Sequence, residues 1–149
     1  MRFAALDVGD VRIGVAVCDP LEIAAFPIGT ITRAGSLKRD TAAVAALLAE
    51  QEADAVIVGL PLSLDGGVGP QAQKTQGFAR ALAKLLPVPV VFWDESLSSV
   101  EANDQMIRLG LSRQKRRAQI DSRAAAVILE SYLEHRRLTN APRDALAAS

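Results

Sequence analysis

Cysteine and histidine are almost missing from this chain. Of its 149 residues one is a cysteine, Cys18, and one is a histidine, His135. A single cysteine excludes an internal disulfide and a cysteine-based zinc cluster. A single histidine excludes an internal His–His metal site and leaves little room for a Ser–His or Cys–His nucleophile pair. No apolar run approaches the roughly 18 residues that read as a membrane-spanning helix. Net charge is also lacking: 17 basic and 17 acidic side chains cancel to +0. Nothing in that balance advertises a polyanionic partner, but a zero sum hides local asymmetry. The opening Met1-Arg2-Phe3-Ala4-Ala5-Leu6-Asp7 reaches a carboxylate too soon for a secretory leader. The expectation is a soluble, cytoplasmic protein.

What is present is an ordinary globular balance, 50% apolar and 23% charged, which argues against disorder. The length predicts one domain, residues 1–138, and a weakly ordered tail, 139–149, where Pro142 and low complexity replace any period. Folding should bury roughly two-thirds of the unfolded surface, enough for a core without disulfides or a structural metal.

Phe3–Val8 and Val11–Val17 read as strands joined at Gly9-Asp10, a two-residue hairpin signal. Asp19-Pro20 makes a second turn. Ile23–Ile31 reads as a third strand, and Pro27 assigns it to a sheet edge or a bulge. From Ser36 the apolar period becomes helical through Leu37, Thr41, Val44, Leu47 and Leu48, with helix-favouring alanines between them. Asp54–Leu60 is a short apolar run, as in a strand buried on both faces. Pro61–Pro70 is a loop, and Pro70 suits the first position of a helix that runs to about Leu86. Pro89–Asp94 reads as another buried strand. Ser98-x-x-Glu101 is a capping box opening a helix that ends at Gly110. A basic stretch follows, then a last helix through Ile120, Ala124, Ile128 and Tyr132. The order β-β-β-α-β-α-β-α-α predicts an α/β fold. Its mixed five-stranded sheet has strands one to three antiparallel, strands four and five parallel to strand one, and helices on its faces.

In such sheets ligands gather beyond the carboxyl ends of the parallel strands. Asp7, the glycine-rich loop after Leu60, and Asp94-Glu95 all fall at such ends. Asp7 interrupts an apolar strand, where a carboxylate is costly to bury unless paired, hydrogen-bonded or metal-bound; the plainer reading is that it marks the approach to a turn. Glu95 alone could be an ordinary loop carboxylate. Asp121 falls near the start of the predicted last helix, where the helix dipole explains it about as well as catalysis does. Glu101 is best read as a cap. Together, carboxylates without His or Cys suit Mg²⁺ or Mn²⁺ rather than zinc. Two such ions can flank a phosphodiester, one generating hydroxide and one stabilising the leaving oxygen.

The hidden asymmetry lies between Arg108 and Arg123. Arg108, Arg113, Lys115, Arg116, Arg117 and Arg123 stand there against one acid, Asp121. Such a cluster matches a nucleic-acid backbone. A solvated helix face would look the same, and adjacency to Asp121 favours function. Gly66-Gly67-Val68-Gly69-Pro70 leads into a helix N-terminus and could hold a phosphate, although most glycine-rich loops only turn the chain. His135 reads as a surface residue near a helix C-terminus and Cys18 as a small core residue. Trp93 reads as core packing before base stacking.

Several blocks resemble one family: Ala5-Leu6-Asp7-Val8-Gly9, Arg12-Ile13-Gly14-Val15-Ala16, Val58-Gly59-Leu60-Pro61-Leu62, Asp65-Gly66, Gly69-Pro70-Gln71-Ala72, Asp94-Glu95 and Ile120-Asp121-Ser122. They look like the YqgF family, also called RuvX, bacterial proteins associated with Holliday-junction resolution and pre-16S rRNA processing. The likeness runs from about Phe3 to Leu133 with all blocks in order. It implies an RNase H-like fold and a divalent-metal nuclease, with the catalytic and metal-holding triad carried onto Asp7, Glu95 and Asp121. Some positions depart from the pattern. Ser96-Leu97-Ser98-Ser99 replaces the usual arginine and Leu-Thr-Thr, Asp10-Val11 replaces a Thr-Lys-like pair, and Arg123 stands where an apolar residue is common.

The resulting expectation is a Mg²⁺- or Mn²⁺-dependent endonuclease, using two ions, on structured DNA or RNA. Asp7 would bridge the ions, and Arg12 and the 108–123 basic residues would hold the substrate. Symmetric junction cleavage would need two active sites and so admits a homodimer. One rival is a phosphotransferase or ATPase of the actin and sugar-kinase type, since Asp7-x-Gly9 with Gly14-Val15-Ala16-Val17 resembles their first phosphate loop. Those proteins enclose the nucleotide between two such domains, and this chain has room for one. The other rival is a catalytically silent nucleic-acid-binding adaptor, against which the complete triad argues.

Overall fold

Strand β1 (Phe3–Val8) forms where an apolar run is interrupted only by Asp7, and it becomes the centre of the sheet. The structure, a computed structural model, describes residues 1–62, 66–94 and 113–139, with side chains of the last segment described over 123–138. After β1 come β2 (Arg12–Cys18), β3 (Ala25–Thr32), α1 (Leu37–Glu50), β4 (Ala55–Leu60), α2 (Pro70–Ala83), β5 (Val90–Asp94) and α3 (Arg113–Thr139). The order across the sheet is β3-β2-β1-β4-β5. β1 pairs antiparallel with β2, and β2 with β3; β1 pairs parallel with β4, and β4 with β5. This is the expected mixed sheet. The helix expected over Ser98–Gly110, with its Glu101 cap, and tail residues 140–149 lie outside the described residues.

Alternation of side chains divides the core in two. Ala4, Leu6 and Val8 of β1 pack with Ile13, Val15 and Val17 of β2 against Val44 and Leu48 of α1 and Phe78 and Leu82 of α2. Phe3 and Ala5 pack with Ala16, Cys18, Ala55 and Ile57 against Ala125, Ile128, Leu129, Tyr132 and Leu133 of α3. On that second face alanines of the sheet meet alanines of the helix, which lets α3 lie close to the strands. Cys18 is a buried core residue, as expected; its Sγ accepts a hydrogen bond from the Phe3 N–H at 3.1 Å, and burial pushes its thiol pKa up. Pro27 meets both conditions set for it. β3 is a sheet edge, and the register slips between Val15 and Ala16, opposite Ile28.

Three expectations need correction. The first hairpin uses Gly9, Asp10 and Val11 between its strands, not Gly9-Asp10 alone; the Gly9 N–H donates to the Arg12 carbonyl at 2.9 Å and closes a wider turn. β5 is an edge strand with Phe92 38% exposed, so its apolar run does not mean burial on both faces. The last helix begins at Arg113, so the basic stretch is its first two turns rather than a segment before it. Asp121 therefore lies eight residues inside the helix. The dipole's effect is confined to the first turn, so it does not account for a carboxylate there.

One ion pair ties the wider turn to the helical layer. Arg33 Nε lies 2.9 Å from Asp40 Oδ2, its Nη1 donates to the Gly9 carbonyl at 3.0 Å, and its guanidinium sits 5.2 Å from the Phe78 ring centroid. Asp40 is 2% exposed, and its other oxygen accepts from the Ala34 N–H at 2.8 Å. That backbone bond and the Arg33 partner hold its carboxyl below the ordinary 3.8. Arg33→Ala is expected to lower unfolding free energy by about 2–3 kcal/mol, because it strands a buried charge. A carboxyl depressed in the folded state stabilises above its unfolded pKa. Its contribution should be complete near neutrality and be lost as pH falls below 3.8 toward the folded value. Urea melts of wild type and variant between neutrality and pH 3 should therefore converge toward the acid end.

Candidate active site

The carboxyl ends of β1, β4 and β5 lie along one edge of the sheet, with Leu60 paired to Asp94. Asp7 is one residue from the end of β1 and is half-buried. Phe3 and Ala5 face α3, so the two-residue alternation puts Asp7 on the same face. Its partner on β2 is Gly14. On the other side Leu6 pairs with Val58, so Gly59 follows beside Asp7, and Gly59 pairs in turn with Trp93. The row across the sheet is thus Gly14, Asp7, Gly59, Trp93. Neither adjoining strand sets a side chain directly beside the carboxylate. Glycine weakens a strand interior and marks a close approach of backbone or ligand. These two glycines flank Asp7 in the sheet, a placement that the sequence blocks containing them did not show. Their signal was glycine inside otherwise β-branched runs; reading it required the register.

Trp93 closes the row against α3. Its ring meets Tyr132 edge-on at 5.4 Å, lies 5.0 Å from His135, and donates from Nε1 to Ser131 Oγ at 3.1 Å. Packing is therefore its observed role, and His135 is on the surface as expected.

The direction of α3 follows from its last turns. Tyr132 meets Phe3 at 5.4 Å, the Arg136 guanidinium lies 4.9 Å from the Phe3 ring centroid and 3.1 Å from Glu22 Oε1, and Arg137 reaches the Glu22 and Ile23 carbonyls. These contacts sit at the amino end of β1, so the earlier turns run toward Asp7. Phe3 to Asp7 spans about 13 Å of strand, and the same advance takes about nine helical residues back from Tyr132. That brings the α3 backbone near position 123, two residues after Asp121, to about the level of Asp7.

The expected residues fall as follows. Asp7 is at the central strand end, and Asp121 is on α3 with its side chain outside the described set. Glu95, Ser96 and Arg108 lie outside the described residues. Arg113, Lys115, Arg116 and Arg117 occupy the first turns of α3, where 113, 116 and 117 share a face by spacing; their side chains are likewise outside the described set. Arg123 and Arg12 are partly buried. Arg12 alternates with Gly14, Ala16 and Cys18, which assigns it to the α3 face, diagonal to Asp7. The glycine-rich loop enters α2 through Gly69, an N-cap without a side-chain bond, and Pro70 takes the first helical position as expected.

A half-buried aspartate at a strand end, with a glycine on each side, fits a hard divalent cation. Among the described residues no three His, Cys, Asp or Glu side chains group closely enough to hold one. Two of the three expected ligands, Glu95 and the Asp121 carboxylate, are outside that set. Among the same residues no helix is long and apolar enough to cross a membrane.

Comparison with known proteins gives the fold and the family. The chain is similar to the T. thermophilus RuvC solved with a Holliday junction substrate, with a TM-score of 0.59 and 18% identity over 92% of this chain and 96% of that one. At that identity the likeness concerns the fold. A protein of Syntrophus aciditrophicus named "Putative pre-16S rRNA nuclease" is 40% identical over 149 residues, 100% of this chain and 99% of its own length. One of Mesorhizobium japonicum with the same name is 46% identical over 131 residues, 88% of this chain and 78% of its own. The family described as "RuvX: Holliday junction resolvase" matches residues 1–135. With nearly the whole chain matched and full-length relatives at that identity, this protein belongs to the RuvX family.

Proposed function

We propose that this protein is an endonuclease that hydrolyses phosphodiester bonds in structured nucleic acid, either Holliday-junction DNA or the 5′ end of pre-16S rRNA, in the cytoplasm. The observation that carries the reading is Asp7, a carboxylate between two glycine positions on the central strand of a RuvX-family chain. Asp7, Glu95 and Asp121 would hold Mg²⁺ or Mn²⁺, two ions in all. A divalent ion there supplies positive charge that polarises the scissile phosphate and lowers the pKa of an attacking water. Asp7 fixes that charge at the strand end. Gly14 and Gly59, its neighbours across the sheet, bring no side chain of their own to that position. Arg12 and the first turns of α3 hold flanking phosphates as point charges, which positions the strand without reading its sequence. Cleavage of a junction at two symmetric points would take a pair of copies.

The kinase-like reading is not favoured: the family match is to a resolvase and runs over residues 1–135. The test is cleavage by the pure protein. Junction DNA and a pre-16S 5′-end fragment, each offered with Mg²⁺, Mn²⁺ or chelator, should be cut only with metal, and ATP should not be turned over. ATP turnover without strand cleavage would reverse the assignment.

A further inference from the structure

Gly77 sits in the middle of α2, where glycine is among the least favourable residues for a helix. An interior helical glycine costs about 1 kcal/mol against alanine. Packing does not require it here: a Cβ built on Gly77 meets nothing within 4 Å. What Gly77 borders is an open cleft of about 690 Å³ between α1, α2 and the Gly9–Val11 turn. Phe78 and Val11 give it apolar wall, and Arg33, Lys74, Asp10 and Ser36 give it a polar rim.

We propose that this cleft is a subsite for one unpaired nucleotide of the substrate strand, with its base against the Arg33 guanidinium and its phosphate at Lys74. The proposal rests on the nuclease reading above. The Arg33 guanidinium is backed by the Phe78 ring and held by Asp40 and Gly9, and its side chain, 22% exposed, lines the cleft, so the cation is fixed at the cleft wall. Unpaired bases stack on aromatic rings and on guanidinium planes. Lys74 is 67% exposed, with its ammonium 3.8 Å from Asp10; it suits a phosphate, and Asp10 can accept from an exocyclic amine. The turn that walls the cleft joins β1 to β2; Asp7 and Arg12 face the α3 side of the sheet and α1 and α2 cover the other, so a strand reaching the cleft from Asp7 would cross the sheet edge at this turn.

The test fills the cleft from its floor. Gly77→Leu should fold at least as well as wild type, since it raises helix propensity into open space; Gly77→Ala is the control for propensity alone. Binding is read by fluorescence anisotropy on an RNA duplex with a single-stranded flank and on the blunt duplex. Gly77→Leu should weaken binding of the flanked duplex about tenfold, the scale of one stacked base, and leave the blunt duplex unchanged. Gly77→Ala should have a small effect on both. Lys74→Gln, which leaves the helix intact, should flatten the salt slope on the flanked duplex by roughly 0.7. Unchanged affinity in a folded Gly77→Leu, with an unchanged slope in Lys74→Gln, overturns the subsite and leaves the nuclease reading standing. AMP binding that Gly77→Leu abolishes without affecting the flanked duplex would reassign the cleft to a free nucleotide and also overturn it. A wild type that neither binds nor cuts nucleic acid removes both readings.

Discussion

Asp7→Asn is expected to lower phosphodiester cleavage by more than about 100-fold and to leave the fold intact. Residues that merely support a metal ligand cost roughly 10–100-fold when changed, and Asp7 would be the ligand itself. The substitution keeps the shape and removes the charge. The rest of β1 is apolar and buried, so the strand does not depend on a carboxylate for its place. Three carboxylates converging without a cation would repel one another. At about 4 Å a like pair interacts by roughly 4 kcal/mol at an effective dielectric near 20. In chelator the variant should therefore melt at or above wild type. A cation that binds only the folded state adds about 2.7 kcal/mol at 100 times its Kd. For a chain of this size that is roughly 5–11 °C of melting temperature. Four melts, wild type and variant with Mn²⁺ and with chelator, separate the terms. Wild type should gain the shift and Asp7→Asn should lose most of it. Full cleavage by the purified variant, or an equal shift in both proteins, would falsify Asp7 as the centre of the site.

Changing Arg113, Lys115, Arg116 and Arg117 together to alanine is expected to weaken nucleic-acid binding by about 100-fold or more near physiological salt. Each phosphate that is no longer neutralised reduces the slope of log K against log salt by roughly 0.9 on duplex DNA. Four such phosphates would flatten it by roughly 3.6. These residues open α3, and alanine is the best helix former, so the helix itself should persist. An unchanged slope would mean that the cluster is a solvated helix face. Turnover at saturating substrate should change far less than affinity, since the carboxylates are untouched.

The sequence was most legible where one physical period dominated. β1 and β4 announce themselves as apolar runs, β1 interrupted only by Asp7, and both lie inside the sheet. The same signal misled at β5: Val90–Asp94 is as apolar as a central strand, but a run of five residues cannot say whether a neighbour pairs on its far side. The start of α3 was hidden for another reason. Arg113–Arg117 has no apolar period, so charge concealed a helix whose apolar stripe appears only later. Asp7 was visible because a carboxylate in an apolar run is anomalous in any fold. Gly14 and Gly59 became part of the site only through pairing, since they are distant in sequence and meet across β1. The Arg33–Asp40 tie is likewise a product of topology, with two residues of ordinary appearance closing a turn that neither belongs to.

Trp93 has a consequence beyond packing. It is the chain's one tryptophan, it stands in the row with Asp7, and the chain's one tyrosine, Tyr132, lies edge-on to it. The protein thus carries a donor and an acceptor for resonance energy transfer, one on the sheet and one on α3. Exciting the tyrosine and reading indole emission would follow the seating of that helix without any attached dye. Substrate or metal that draws α3 toward the strand ends would then be seen as a change of light before any bond is cut.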